Sequence, residues 1–460
     1  MLQQLYNIYN EHPVITTDSR ICPEGSIFFA LKGERFDGNR FAADTLTKGC
    51  AYAVIDDATI LQSAGHDVVG YGLYDRYFLV PDVLTALQNL AAFHRKHLQI
   101  PVIGITGTNG KTTTKELLNA VLSQRYRVLA TEGNLNNQIG VPLTLLKIRP
   151  EHEMAIVEMG ANHPMDIAEL CDIARPDYGL ITNVGKAHLL GFGSFEGVIA
   201  AKTKLYDSLR ADGGKVFVDA GNPNLLPHTE GLDAIAYSDA SVTADTAVHG
   251  AMTSCSPYLE LDITVAATVI RVATNLIGNY NLINVVAAAA VGNEFGVAPL
   301  QIKDAIEGYQ PQNMRSQLID LGMGRQIILD AYNANPTSMM AALTSFNLNE
   351  APHKSLVLGD MRELGNESQR EHLAVLCYLM QPEVTFGDVL LVGSEFVSAF
   401  NSLSDDEVSQ LSRCRSVRCY ANVESLIADE YVLGALPGTI LIKGSRGIRL
   451  EQVAKVLQSK

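Results

Sequence analysis

The spacing of apolar and polar residues predicts alternating strands and helices along most of the chain. Short apolar runs at 26–31 and 51–55 are separated by turn-rich segments, a pattern typical of strands in a small α/β unit. The segment 83–97 has apolar residues at helical spacing and predicts an α-helix. It leads into the apolar run 102–106, which predicts a buried strand.

Two further stretches repeat this alternation on a larger scale. In the first, apolar runs such as 155–159 and 178–184 alternate with helical patterns, which indicates a mostly parallel sheet. In the second, runs such as 326–330 and 439–443 predict a Rossmann-like sheet. The intervening region 220–270 is β-rich, and its pattern gives no more specific assignment.

The length of 460 residues supports several domains, because single hydrophobic cores seldom exceed about 250–300 residues. We therefore predict an α/β protein of three domains. Their expected bounds are an N-terminal domain at 1–80, a central domain with a mostly parallel sheet at 81–311, and a C-terminal Rossmann-like domain at 312–460.

Composition and charge narrow the class of protein. The chain is 47% hydrophobic and 18% charged, with a formal net charge of −15. Nucleic-acid binding needs a basic face, so this balance argues against it. No apolar run approaches the roughly 18 residues of a membrane span, and no signal peptide is evident at the N-terminus. The seven cysteines are scattered without metal-ligand spacing, so we expect a protein of the reducing cytoplasm.

The strongest local motif is the glycine-rich segment 104–113, GITGTNGKTT, between a predicted strand and a predicted helix at 114–122. Backbone amides of such a loop wrap phosphate, the helix N-terminus attracts it, and Lys111 adds a cation. Thr112 offers a hydroxyl to Mg²⁺. The strict phosphate-loop pattern fails here, because its first glycine stands one position early, at Gly104. We still predict a nucleotide site.

Three further side chains are candidates for the chemistry at this site. Glu158 ends a predicted strand and is a candidate metal ligand, although strand-end acids are often simply solvated. His188 lies in a loop after the next strand, at the edge where α/β sheets bind ligands. Lys202 lies in a helical segment, where a lone lysine is usually a solvated charge.

These motifs, taken in order, resemble the Mur ligases, the cytoplasmic family that builds the peptide stem of peptidoglycan. The segment 107–112 is similar to the family's ATP loop, which implies ATP contacts from Gly107, Thr108, Asn109, Gly110, Lys111, Thr112 and Thr113. The resemblance further implies Mg²⁺ ligation by Thr112, Glu158 and His188. Lys202 matches a lysine that family members carry as a carbamate, an anion suited to Mg²⁺. It also implies that Lys111, Lys202 and His188 are catalytic.

More of the resemblance lies towards the C-terminus. The segment 278–288 is similar to a family helix that approaches adenine, with Asn281 and Asn284 three residues apart on one face. Tyr280 replaces the histidine usual there. Arg315 and Asp330 match positions that meet the nucleotide when the C-terminal domain closes.

Within the family, the segment 330–339 is similar to the member that adds D-alanyl-D-alanine to UDP-N-acetylmuramoyl-tripeptide. The resemblance implies substrate contacts from seven residues: Ser19, Arg20, Lys32, Asn134, Asn137, Asn333 and Asn335. It implies that the N-terminal domain holds the UDP-sugar, the central domain ATP and the C-terminal domain the amine. One departure is Met165-Asp166, where the family has Gly-Glu.

The chemistry implied is ATP-dependent activation of a carboxylate as an acyl phosphate, followed by attack of an amine. Two alternatives stay open: a related ligase that adds another amino acid or acts on another carboxylate, as folylpolyglutamate synthetases do, and a phosphate-loop module that is not a ligase. We expect a monomer without nucleic-acid partners or a membrane span.

Overall fold

A computed structural model of the chain describes residues 1–34, 36–241, 246–312, 314–411 and 414–459. They form three main sheets of five, nine and six strands, each built from its own part of the sequence, and one short hairpin. The predicted α/β class is thereby confirmed. No helix within the described ranges has both the length and the apolar character that crossing a membrane requires.

The N-terminal sheet has the order β1-β2-β5-β7-β6, parallel except for the last pair. The hairpin β3–β4 forms a separate two-stranded sheet. The elements are β1 (Ile15–Thr16), β2 (Ile27–Phe29), β3 (Lys32–Gly33), β4 (Phe36–Asp37), β5 (Tyr52–Ile55), β6 (Gly72–Tyr74) and β7 (Tyr77–Leu79), with helices α1 (Leu2–Glu11), α2 (Ala42–Thr47), α3 (Ala58–Ser63) and α4 (Val83–His97).

The central sheet has the order β16-β15-β14-β13-β12-β11-β8-β10-β9. Its strands are β8 (Val102–Thr106), β9 (Val128–Ala130), β10 (Met154–Glu158), β11 (Tyr178–Ile181), β12 (Lys215–Asp219), β13 (Asp233–Asp239), β14 (Val248–Cys255), β15 (Tyr258–Val265) and β16 (Thr268–Ile277). Its helices are α5 (Lys111–Leu122), α6 (Gly140–Leu145), α7 (Asp166–Ala174), α8 (Leu189–Phe192), α9 (Phe195–Lys202), α10 (Lys204–Asp212), α11 (Leu282–Glu294) and α12 (Pro299–Gly308).

Most of the central sheet is parallel, as predicted, and the β-rich region 220–270 supplies its irregular edge. Strands β14, β15 and β16 pair antiparallel there. Alternating buried and exposed residues along β15 and β16 explain this, because one face of an antiparallel edge can meet solvent. Elsewhere helices cover both faces, with α5, α11 and α12 on one side and α6, α7 and α10 on the other.

The C-terminal sheet has the order β17-β18-β22-β19-β20-β21, parallel except for the β17–β18 pair. Its strands are β17 (Gln317–Gly322), β18 (Arg325–Asp330), β19 (Lys354–Gly359), β20 (Asp388–Val392), β21 (Ser416–Tyr420) and β22 (Thr439–Lys443). Its helices are α13 (Pro336–Leu348), α14 (Ser368–Leu379), α15 (Ser394–Asn401), α16 (Asp405–Gln410), α17 (Val423–Ala428), α18 (Glu430–Gly434) and α19 (Glu451–Gln458).

The order of the central strands decides where the candidate residues meet. Strand β8 lies between β10 and β11, parallel to both. The carboxyl ends of these three strands therefore share one edge, which is where open α/β sheets bind ligands. Helix α4 ties this domain to the N-terminal one, because its buried leucines share a hydrophobic cluster with α1, α6 and α7. The domain bounds 1–80, 81–311 and 312–460 stay predictions.

Candidate active site

The loop between β8 and α5 depends on two glycines. Gly107 has a φ of +145° and Gly110 a φ of +79°, values that glycine adopts at little cost. A Cβ on Gly107 would lie 1.9 Å from the Thr182 hydroxyl oxygen, so the neighbouring strand leaves no room for a side chain. Gly104 lies inside β8, where a Cβ would meet the Met159 side chain at 2.7 Å. It is a packing residue of the strand and not part of the loop.

The segment after β11 fixes the shape of this loop. The Asn109 backbone N–H donates to Asn183 Oδ1 at 3.0 Å, and the Asn109 carbonyl accepts from the Thr182 hydroxyl at 2.6 Å. The Gly185 N–H donates to the Thr108 hydroxyl oxygen at 3.0 Å. Sequence reasoning singled out only His188 from this segment and missed Thr182 and Asn183. The loop is thus held ready by bonds that do not involve a ligand.

Lys111 opens α5 and concentrates positive charge at the loop. Its Nζ donates to the carbonyl oxygens of Gly107, at 2.7 Å, and Thr108, at 3.2 Å. Burial lowers the pKa of Lys111, Glu158 partly opposes this, and Arg315 lowers it further. The first turn of α5, with Thr112 and Thr113, adds unpaired backbone N–H groups and the positive end of the helix dipole. This is a site for phosphate oxygens.

Glu158 supplies oxygen ligands beside the loop. It ends β10 and is 1% exposed, with Oε2 accepting from the Thr112 hydroxyl at 3.0 Å and Oε1 from the Asn136 amide at 2.8 Å. A carboxylate and a hydroxyl side by side suit Mg²⁺, which prefers oxygen ligands. Sequence reasoning missed Asn136 and named its neighbours Asn134 and Asn137 instead.

Those two neighbours have structural contacts of their own. Asn137 Oδ1 accepts from the Gly140 N–H at 2.9 Å, at the start of α6. The Asn134 carbonyl accepts from the Asn136 N–H at 2.8 Å. Asn134 and Asn137 both have exposed side chains, so a substrate role for each stays a prediction.

His188 lies at the boundary with the C-terminal domain. Its backbone is left-handed, with a φ of +50°, and its Nδ1 contacts the Glu363 carboxylate. Burial lowers the pKa of His188, while the Glu363 carboxylate opposes that shift. Within the described ranges no three His, Cys, Asp or Glu residues group as metal ligands. Of the predicted set, Glu158 contacts Thr112 directly, and the charges of Lys111 and Lys202 act on His188. Ligation of one Mg²⁺ ion by this set stays a prediction.

Lys202 is the last residue of α9 and is 2% exposed. The Phe192 ring, with its centroid 5.9 Å from the Lys202 Nζ, is its one recorded side-chain contact among the described residues. Burial, and then the charge of Lys111, lowers the pKa of Lys202 well below its usual range. A buried ammonium without a partner is costly, so this side chain is poorly placed as a plain structural cation.

The predicted adenine-contacting asparagines bond to each other. Asn281 and Asn284 are both 5% exposed, and the Asn284 amide donates to Asn281 Oδ1 at 3.0 Å. The Asn281 amide donates to the Ile277 carbonyl at 2.8 Å. A Cβ on Gly110 would lie 2.8 Å from Asn284 Oδ1. The pair therefore fixes the start of α11 against the phosphate loop, and base contact stays a prediction.

Tyr280, the departure from the family pattern, faces the segment that leads into the C-terminal domain. Its hydroxyl lies 2.9 Å from Ser316 Oγ, and burial raises its pKa. Arg315 precedes Ser316 in the chain, and its guanidinium carbon lies 3.8 Å from the centroid of the Tyr332 ring. Its Nε is buried and has no hydrogen-bond partner among the described residues. Asp330 forms an ion pair with Lys443 at 2.5 Å.

Direct contacts join the phosphate loop to the C-terminal domain. The Asn335 amide donates to Asn109 Oδ1 at 2.8 Å, while Asn335 Oδ1 also caps α13 through the Ser338 N–H. Lys186 pairs with the buried Glu371 carboxylate at 2.8 Å. Beside these contacts lies a cleft of about 120 Å³, lined by Ala187, His188, Asn333, Ala334, Asn335, Arg362, Glu363, Ser445, Arg446 and Gly447.

The predicted UDP-sugar residues lie in the N-terminal domain. Arg20 forms two hydrogen bonds with the Asp18 carboxylate, at 2.8 and 2.6 Å. Lys32 pairs with Asp56 at 2.7 Å, and the Ser19 carbonyl accepts from Lys48 at 3.2 Å. Arg20 is exposed and Lys32 half-exposed. Both charges are therefore accessible to a ligand.

Three family models match successive parts of the chain. The Mur ligase catalytic domain matches residues 13–95, the Mur ligase middle domain residues 105–292, and the Mur ligase glutamate ligase domain residues 314–446. These segments coincide with the three sheets, and the middle model includes Gly107, Glu158, His188 and Lys202.

Individual relatives match over nearly the whole length. The UDP-N-acetylmuramoyl-tripeptide–D-alanyl-D-alanine ligases of Bacillus subtilis (strain 168) and Escherichia coli (strain K12) are each 34% identical to this chain. Both alignments cover 96% of the chain, and 92% and 93% of those proteins. This chain is also similar to a crystal structure of MurF from Acinetobacter baumannii, with a TM-score of 0.83 and 28% sequence identity. The match covers 100% of this chain and 99% of the chain in that crystal structure.

Proposed function

The chain belongs to the Mur ligase family, and we propose that it catalyses the ATP-dependent ligation of D-alanyl-D-alanine to UDP-N-acetylmuramoyl-tripeptide. It is a peptide ligase of peptidoglycan precursor synthesis. One observation carries the choice of amine substrate. The C-terminal segment similar to the dipeptide-adding member lies on the phosphate loop, through the hydrogen bond between Asn335 and Asn109.

We propose that each of the three domains binds one of the three substrates. We assign the UDP-sugar to residues 1–80, with contacts from Ser19, Arg20 and Lys32. ATP belongs to the central domain, 81–311, and the dipeptide to the C-terminal domain, 312–460. This arrangement fits the contacts at the central–C-terminal boundary, where the amine must meet the activated carboxylate.

Phosphoryl transfer is the first step. An oxygen of the tripeptide's terminal carboxylate attacks the γ-phosphorus of ATP, the bond to the ADP oxygen breaks, and an acyl phosphate forms. The amides at the N-terminus of α5 and the Lys111 ammonium offset the charge of the transferring group. Because Asn183 and Thr182 already fix the loop, little reorganisation is needed when ATP binds.

The residues beside the loop fit a Mg²⁺ ion. The Glu158 carboxylate and the Thr112 hydroxyl are adjacent, and we propose that they hold the ion with His188. Bound there, Mg²⁺ would neutralise phosphate charge. We further propose that Lys202 is carbamylated, since a carbamate would replace a buried ammonium with an anion beside Lys111. Two observations support this proposal: Lys202 is 2% exposed, and no acidic side chain among the described residues pairs with it.

Amide formation completes the reaction. The dipeptide's amino nitrogen attacks the acyl carbon, the carbon–oxygen bond to phosphate breaks, and the amine loses a proton. An acyl phosphate hydrolyses if water reaches it, so the C-terminal domain must cover the site. Two contacts between the central and C-terminal domains support such closure. The Asn335 amide donates a hydrogen bond to Asn109, and Lys186 forms an ion pair with Glu371. We propose that the protein acts as a monomer in the cytoplasm.

Omission of single substrates tests this function. Purified protein is incubated with ATP, Mg²⁺, UDP-N-acetylmuramoyl-tripeptide and D-alanyl-D-alanine, and phosphate and product mass are measured. We expect stoichiometric phosphate and a pentapeptide product only when all components are present. Single amino acids in place of the dipeptide separate this function from a related ligase, and ATP turnover without either peptide would indicate a module that is not a ligase. Lys111→Met is the inactive control.

A further inference from the structure

The cleft beside His188 is built by the loops that follow three neighbouring strands of the C-terminal sheet. Strand β22 lies between β18 and β19, parallel to both, so the loops after all three meet at one edge. Ser445 joins them: its Oγ accepts from the Arg362 N–H at 3.0 Å and donates to the Ala334 carbonyl at 3.2 Å. The Ser445 hydroxyl thus holds two walls of the cleft together through hydrogen bonds to their backbone.

Two arginines of this cleft have no acidic partner. Among the residues that the structure describes, neither Arg362 nor Arg446 forms an ion pair, whereas Arg370, Arg415 and Arg449 of the same domain all do. The Arg362 guanidinium lies over Gly447, where a Cβ would be 2.8 Å from its Nη1. Both guanidiniums therefore face the cleft with free donors, and a planar anion is their natural ligand.

Among the described residues, Arg446 makes a cation–π contact and no ion pair. Its guanidinium carbon lies 5.5 Å from the centroid of the Tyr332 ring. This contact positions the side chain without consuming its hydrogen-bond donors. The residue therefore keeps its full capacity to bind an anion.

The cleft also has an acidic lining residue. Glu363, next to Arg362 in the chain, contacts His188 Nδ1 of the central domain through its carboxylate. The cleft thus combines a carboxylate at the boundary with the central domain and two guanidiniums, of which that of Arg362 lies over Gly447. A small zwitterion with an amine at one end and a carboxylate at the other matches this polarity.

We propose that Arg362 and Arg446 bind the free carboxylate of the dipeptide and thereby point its amine towards the acyl phosphate. The proposal rests on the proposed function and adds to it the group that selects a free C-terminus. The arginines are specificity-determining residues: they contact the substrate end that does not react. A phosphate of ATP or a carboxylate of the nucleotide substrate has similar chemistry, so the test must separate the three sources.

The test compares Arg362→Gln and Arg446→Gln with Arg418→Gln, a half-exposed arginine on the edge strand β21. For each protein kcat and KM are measured for ATP, for the nucleotide tripeptide and for the dipeptide. The dipeptide is also compared with D-alanyl-D-alaninamide, which lacks the carboxylate. Loss of a charge-assisted hydrogen bond predicts a roughly 10- to 100-fold higher KM for the dipeptide in the two cleft variants, with little change in kcat.

The amide analogue gives the sharper result. Wild-type protein and Arg418→Gln should prefer the acid to the amide by a similar factor, and the cleft variants should lose most of that preference, because the amide never made the contact. The proposal is overturned if the acid-to-amide preference is unchanged in both cleft variants, or if only the KM for ATP or for the nucleotide rises. Failure of the proposed function is distinguishable, since wild-type protein would then show no dipeptide-dependent phosphate release at all.

Discussion

Replacement of Gly107 by alanine tests how tightly the phosphate loop is built against β11. The new Cβ would lie 1.9 Å from the Thr182 hydroxyl oxygen and 3.1 Å from both the Thr182 Cβ and backbone nitrogen. The Thr182 hydroxyl could rotate away, but the 3.1 Å contacts with the Thr182 Cβ and backbone nitrogen would remain. The loop or the segment that follows β11 must therefore shift, and the 2.6 Å hydrogen bond from Thr182 to the Asn109 carbonyl would break.

The magnitude follows from two costs. Alanine at a φ of +145° costs up to about 3 kcal/mol, and the lost hydrogen bond costs about 0.5–1.5 kcal/mol. The sum is about 4 kcal/mol. Gly213→Ala is the matched control, because Gly213 has a φ of +74° and nothing within 4 Å of its Cβ position, so that only a backbone cost of about 1 kcal/mol remains.

Scanning calorimetry and ATP titration measure the two consequences. For a domain of this size, 1 kcal/mol corresponds to roughly 2–4 °C in Tm. The central-domain transition should therefore fall by about 8–16 °C in Gly107→Ala and by about 2–4 °C in Gly213→Ala. ATP affinity should drop only in Gly107→Ala. Equal losses of Tm in the two variants, with unchanged ATP affinity, would refute the reasoning.

Three other changes test separate parts of the structure. Lys202→Met should abolish dipeptide-dependent phosphate release. Its Tm should stay the same or rise, since an apolar side chain is less costly to bury than an ammonium. Full activity would contradict the role given to Lys202. Burial lowers the pKa of His94 from 6.5 to about 4, so the unfolded chain takes up a proton first as the pH falls. Titration of His94 does not change the free energy of unfolding above about pH 6.5. Between about pH 6.5 and pH 4 it lowers that free energy, by at most about 1.4 kcal/mol per pH unit. Denaturant titrations should show a shallower pH slope in His94→Gln, and an identical slope would exclude His94 as the cause. Tyr280→Phe removes the hydroxyl that contacts the buried Ser316 and should lower the free energy of unfolding by about 1–2 kcal/mol, measured by calorimetry; an unchanged Tm would show that this contact is energetically neutral.

Local pattern predicted those parts of the fold that depend on local sequence. The helix expected at 83–97 is α4, with the same bounds, because its apolar spacing lies within the segment and its cap, Asp82, directly precedes it. The helix expected at 114–122 begins earlier, at Lys111. Gly110, in a left-handed conformation, is its N-cap, so the lysine is already helical. Backbone conformation at a single glycine decided that difference.

Contacts between distant segments could not be predicted in the same way. One example is the hydrogen bond from Asn136 to Glu158, and another is the contact between Glu363 and His188. Only the folded chain brings these residues together. Asn281 and Asn284 show a second limit. Their spacing of three residues predicted a shared ligand, but that spacing equally permits the bond they make to each other. The residue types were informative, whereas their partners required the structure.

The central claim is that the tripeptide's carboxylate is activated as an acyl phosphate, and transfer of an oxygen isotope tests it most directly. The terminal carboxylate of UDP-N-acetylmuramoyl-tripeptide is labelled with ¹⁸O, the reaction is run with ATP and D-alanyl-D-alanine, and the released phosphate is analysed by mass spectrometry. The account predicts one ¹⁸O atom in each phosphate, since the bond between the acyl carbon and that oxygen breaks when the amine attacks. Unlabelled phosphate, or label found in AMP, would contradict it.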